Sequence, residues 1–173
     1  MSYGSRIFAL VAAPLAIVSR LGMVGGEPRG GDVSAGPESE TESRNLARVR
    51  SAFDAWSAGT GSIFDLLDAD VTWEVAGSVI VAGTYTSKAE LEAKVLEPFG
   101  ARFSTALTPV IRRLYAEGDT VIAFFDASGT ALDGKPYSNT FAWFLHMHDL
   151  RVVRAEVLLD SVAFNDLWTR VAP

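Results

Sequence analysis

Two carboxylates interrupt apolar runs in this chain. Asp160 lies in "EVLLDSVAF", residues 156–164, and Asp126 in "VIAFFDASG", residues 121–129. A carboxylate taken out of water has a raised pKa and can move protons near neutral pH. Two close carboxylates push their pKa values apart, which supplies one acid and one base. Each also has a plainer use. Asp160 directly precedes a helical pattern, where Asp accepts hydrogen bonds from free amides; Ser161 offers the same service and would leave Asp160 on its strand. In strand phase Asp160 shares a face with Arg154, Glu156 and Leu158, and Asp126 with Ile122, Phe124 and Ser128. A strand-end Asp in water or bonded to a turn is the plainer role of Asp126.

Composition narrows what else can act. With no Cys and only His146 and His148, thiolate chemistry is excluded and a His-rich zinc site is not expected. The two His read as surface or interface residues. A net charge of −6 argues against a broad nucleic-acid surface. Carboxylates, Arg, Tyr and Trp are left to carry any chemistry. At 173 residues, 49% of them apolar, the chain can bury the core of one domain.

The elements that must position these residues can be read from periodicity. A helix begins near a capping box at Ser39–Glu42 and carries Leu46, Val49, Phe53 and Trp56. "SIFDLL" from Ser62 reads as one helical turn, Val71–Val75 as a strand, and Ala82–Ser87 as a turn with a short second strand. Ser87 and Glu90 cap a helix ended by Pro98 and Gly100. Four long strands follow, near 102–116, 119–132, 136–148 and 151–160, with Asp133-Gly134 the strongest hairpin signal. Pro109 marks an edge or bulge. A last helix carries Phe164, Leu167, Trp168 and Val171. The order predicts an α+β fold: a strongly curved, cone-shaped antiparallel sheet of two short and four long strands, packed on three to four helices. Its concave side would leave a hydrophobic pocket for a small apolar molecule.

The first forty residues differ. Ile7–Val18 is apolar but too short to span a bilayer. It resembles a signal-peptide core broken by Pro14, so residues 1–40 read as a disordered extension or degenerate signal, and 41–172 as the domain. Cytoplasmic residence is expected, with export through this segment as the alternative.

The segments "DADVTWEV" (68–75), "AGTYTSKAELEA" (82–93), "GDTVIAFFDASGTALDGKPYSNTFAWFLHM" (118–147) and "VVRAEVLLDSVAFNDLW" (152–168) occur in an order that resembles the nuclear-transport-factor-2-like superfamily, from about Ser43 to Val171. The nearer resemblance is to its SnoaL-like branch of polyketide cyclases and ketosteroid-isomerase relatives. That resemblance implies acid/base chemistry without metal or organic cofactor: cyclisation, isomerisation, dehydration or hydrolysis of an apolar oxygenated molecule. SnoaL-like cyclases use an Asp late in the last long strand, the region of Asp160. Some epoxide hydrolases of the superfamily place an Arg between two Asp, a role open here to Arg112, Arg113 or Arg154. Trp73, Tyr85, Phe141 and Trp143 would line the pocket of such a fold, and Asn139 would orient a carbonyl. Aromatics at strand spacing also serve as plain core. The positions of the steroid isomerase pattern hold Val75, Ala52–Phe53 and Phe141–Ala142, which argues against that activity. Members of the superfamily commonly pair through the convex sheet face, so a homodimer is expected, with Val121, Ala123 and Phe125 as its patch. The rival reading is a non-catalytic ligand-binding or dimerisation module of the same fold.

Overall fold

The computed structural model describes residues 37–173. The signal-like run, and the extension as far as residue 36, lie outside the described residues; residues 37–40 already belong to the first helix.

That helix, α1 (Pro37–Ser57), turns Val49, Ala52, Phe53 and Trp56 inward at intervals of three and four. A 3-10 turn at Ile63–Leu66 starts from Ser62, whose hydroxyl accepts from the Phe64 amide while Asp65 accepts from the Ser62 amide. Two strands follow, β1 (Leu67–Val75) and the short β2 (Gly83–Tyr85). Ser87 caps α2 (Lys88–Leu91) by accepting from the Glu90 amide. Helical winding ends at Gly100, as the sequence suggests, but passes through Pro98 instead of breaking there. The turn over Glu92–Leu96 widens to a π-helix, and Pro98 falls in the first turn of α3 (Glu97–Gly100). A first-turn position suits a residue with no N–H to offer.

The four long strands are β3 (Thr108–Glu117), β4 (Thr120–Thr130), β5 (Pro136–His148) and β6 (Arg151–Leu159), closed by α4 (Ser161–Arg170). β3 begins six residues later than its apolar pattern implies; only Phe103, bridged to Ala131, pairs before it. The sheet order is β2-β1-β6-β5-β4-β3. Every pairing is antiparallel except β1 with β6, which is parallel. The antiparallel expectation therefore fails at one seam, where the chain returns to β1 only after the β3–β6 meander.

Alternation then decides which side chains meet the helices. Val121, Ala123, Phe125 and Ala127 of β4, and Tyr137, Asn139, Phe141, Trp143 and Leu145 of β5, point to the helix side and are buried. This corrects the dimer patch named from sequence. Val121, Ala123 and Phe125 are each 0% exposed, because that phase of β4 faces the core.

The opposite sheet face carries no helix among the described residues. Its side chains line up in rows across β4, β5 and β6: Thr120, His146, Arg154; Ile122, Phe144, Glu156; Phe124, Ala142, Leu158.

Candidate functional site

The residues singled out from sequence divide between the two faces of the sheet. Trp73, Asn139, Phe141 and Trp143 are buried on the helix side, and Tyr85 is partly buried at the β2 edge. Asp126 and Asp160 are on the open side, level with each other. Asp126 is the register partner of Thr140, and the Asp160 amide donates to the Thr140 carbonyl at 3.3 Å.

Trp143 is the centre of the inner group. Rings of Phe125, Trp73, Phe64, Phe141, Phe53 and Trp56 surround it with centroids 4.9 to 6.5 Å away. Phe125 and Trp73 meet it edge to face. Such pairs add about 0.5–1.5 kcal/mol each beyond burial. The space expected as a hydrophobic pocket is thus packed with the chain's own rings. Within this box the indole Nε1 of Trp143 is buried with no hydrogen-bond partner among the described residues. An indole N–H can only donate, and leaving it unpaired costs about 1–3 kcal/mol. A cleft of about 310 Å³ between α1 and β3 reaches Phe53, one of the six rings, and is lined further by Arg50, Asp54, Ser57 and Val110.

Two polar groups nearby are already satisfied. The Tyr85 hydroxyl donates to the Val81 carbonyl at 2.7 Å. Asn139 donates from Nδ2 to the Tyr137 hydroxyl and to the Asp160 carbonyl, and its Oδ1 accepts from the Asp160 amide. Burial pushes the Tyr137 hydroxyl far above its ordinary pKa, although the Asn139 bond opposes the shift. Asn139 is therefore occupied in tying β5 to the start of α4.

At the end of β6, Asp160 caps α4. Its Oδ1 accepts from the amides of Val162 and Ala163, and the residue is exposed. Asp126 accepts from the Thr140 hydroxyl at 2.7 Å and from Arg112 Nε at 2.6 Å. The Thr140 bond, followed by Arg112, holds its pKa below the ordinary carboxylate value. The desolvated cavity shared by the two carboxylates is thus not what the structure shows. Each is ionically or hydrogen-bond engaged at a solvated surface. Of the three Arg considered, Arg112 is the one beside Asp126, and its guanidinium also lies 5.2 Å over the Phe124 ring. Arg154 pairs with Glu156, and Arg113 donates to the Arg112 carbonyl.

Sequence reading missed the roles of Tyr137, Trp56 and Phe64. Trp56 and Phe64 look like ordinary core in a helix and a turn. Only the three-dimensional convergence on Trp143 sets them apart. Among the described residues no group of three or more His, Asp or Glu is placed to hold a metal ion, and no helix is long and apolar enough to cross a membrane.

A family model described as SnoaL-like domain matches residues 49–155. Among solved structures, Bal32a from a soil-derived mobile gene cassette is 19% identical, with 74% of this chain and 98% of that chain covered and a TM-score of 0.61. A candidate SnoaL-like polyketide cyclase from Jannaschia sp. CCS1 is 16% identical over 81% of this chain and 98% of that one, TM-score 0.59. TerC, co-crystallised with polyporic acid, is 23% identical over 72% and 98%, TM-score 0.55. At these identities the likeness shows the fold alone. No curated protein matches the chain.

Proposed function

Because the chain belongs to the SnoaL-like domain family, we propose that it is a small-molecule domain that takes an apolar, carbonyl-bearing molecule against the aromatic interior. The observation that carries this reading is the Nε1 of Trp143, unpartnered among the described residues, on a ring that six others surround. A ligand carbonyl would accept from it, and flat apolar surface would replace ring-on-ring contact. Entry is from the α1–β3 cleft, with Phe53 the ring that must move. Polyporic acid, which accompanies TerC, is the first probe. The test is quenching of Trp fluorescence on titration, compared between the native protein and Trp143→Phe.

A second reading is favoured by the row Asp126–Thr140–Asp160. In it the chain is a cofactor-independent acid/base enzyme of the cyclase, isomerase, dehydratase or hydrolase kind. Asp160 transfers the proton and Asp126 assists. Such chemistry acts at the open sheet face, and Asp160 must leave its cap to perform it. Turnover lost in Asp160→Asn, with folding intact, is its signature; general acid/base help is worth about 10²- to 10⁴-fold.

The same open face is the surface proposed for pairing with a second copy. Phe124, Phe144 and Leu158 supply apolar contact there, with Leu158 48% exposed. Arg112 pairs with Asp126 and Arg154 with Glu156 within the chain, so these charges on the face are already balanced in one copy.

A further inference from the structure

We propose that the open sheet face carries a proton-operated switch, in which His146, on gaining a proton, takes the Glu156 carboxylate from Arg154. His146 lies on β5 between its register partners, Thr120 of β4 and Arg154 of β6. Its Nδ1 is 3.0 Å from the Thr120 hydroxyl, a group that can donate or accept. Its Nε2 is closed off from solvent and has no hydrogen-bond partner among the described residues. In one neutral tautomer that nitrogen is a donor without an acceptor, and in the other an acceptor without a donor; either is costly when buried. Glu156 Oε1 stands 4.0 Å away, beyond hydrogen-bond reach. That same oxygen accepts from Arg154 Nη2. One carboxylate oxygen therefore lies between two bases and bonds only one of them.

A proton resolves the frustration. The imidazolium has two donors: Thr120 Oγ1 accepts from Nδ1–H, and Glu156 accepts from Nε2–H after a movement of about 1 Å. The bond given up is a weak one, because the Arg154 and Glu156 side chains are 54% and 38% exposed and such pairs add little to stability. Arg154 is not stranded. Glu74 of β1 is the register partner of Glu156, and Arg154 is level with Thr72, so Arg154 and Glu74 are diagonal neighbours on one face, within reach of a long side chain. The other charged or titratable groups around the ring are Glu117 of β3, level with Thr120; His148 of β5, beside Asp149; Arg151 of β6, beside Asp68; and Asp70 of β1. Of the carboxylates, only Glu156 comes within 4.0 Å of a His146 nitrogen. Histidine is the side chain that ordinarily changes charge between pH 5 and 8, so the ion pairs that this face presents to a docking surface change over that range.

The test is NMR of the full, isotope-labelled chain between pH 8 and pH 5.5, a range that leaves glutamates ionised, since their ordinary pKa is about 4.3. The His146 ring signals and the Arg154 Nε–H signal should move along one titration curve. Glu156→Gln keeps the shape of the side chain and removes its charge, and the Arg154 signal should then lose its pH step. His146→Gln, which can still bond Thr120, should abolish the step as well, while the His148 titration persists. The proposal is overturned if the Arg154 signal of the native protein stays flat while His146 titrates, or if its pH step survives in either variant.

Discussion

Asn139 grips Asp160 by its backbone at both ends: Nδ2 donates to the Asp160 carbonyl at 3.0 Å and Oδ1 accepts from the Asp160 amide at 2.9 Å. The side chain thereby fixes where β6 stops and α4 starts. Asn139→Ala would leave the Tyr137 hydroxyl without its donor, and the Asp160 amide and carbonyl with only their longer backbone bonds to Thr140 and Phe164. A loss of about 1–3 kcal/mol is expected, read as a fall of several degrees in melting temperature. Melting unchanged from the native protein would show that water replaces the amide without cost.

Asp160 gives the second prediction. As an exposed cap it should tolerate Asn, which caps about as well, whereas Ala should cost roughly 1 kcal/mol. Thermal melts between pH 6 and 8 check this. A clear rise for Asp160→Asn would mean that a desolvated carboxylate had been relieved, contrary to its exposed placement.

Asp126 gives a prediction in pH. Its folded-state pKa is lowered, first by the Thr140 hydroxyl and then by Arg112. A lowered pKa means that the contribution is complete above the unfolded value, about 3.9 for Asp, and is lost as pH falls through the folded value. Asp126→Asn should therefore be less stable than the native protein at pH 7, and the gap should close in strong acid. Urea melts that show a constant gap from pH 7 to pH 2 would contradict the ion pair's part in it.

The open sheet face predicts a dimer. Light scattering at tens of micromolar should report twice the chain mass, and Leu158→Glu should halve it without changing the circular dichroism spectrum. A native monomer under those conditions would remove the pairing proposal.

Much of this fold is legible in the sequence because it depends on local signals. Alternation finds β4, β5 and β6 within one or two residues, Asp133-Gly134 marks a turn with Gly134 at φ 81°, and Ser87 caps where its spacing to Glu90 says it will. The phase of Asp126 is legible too, since Ile122, Phe124 and Ser128 do share its face. Which face is inner is not. Both phases of β4 carry large apolar residues, Phe124 on one and Phe125 on the other. Only the packing of Phe53 from α1 on Phe125, with rings 4.8 Å apart, decides between them. For the same reason the two halves of the expected site lie apart: the carboxylates follow the open phase and the aromatics the packed one. The β1–β6 parallel seam, the π turn before Pro98 and the left-handed Leu150 arise from long-range closure and leave no local trace.

The most direct test of the central claim compares Trp143→Phe with the native protein. Phe keeps a ring in the box and removes the N–H. Without ligand, losing an unpaired buried donor gains about 1–3 kcal/mol while the smaller ring loses packing of similar size, so the variant should fold with stability within about 2 kcal/mol of the native protein's. Polyporic acid should quench the native fluorescence saturably, and its affinity for Trp143→Phe, followed by calorimetry, should be weaker by about tenfold, the worth of one hydrogen bond. Equal affinity in the two proteins, or no binding to either by polyporic acid or other aromatic carbonyl compounds, would contradict the account and leave the interior as core alone.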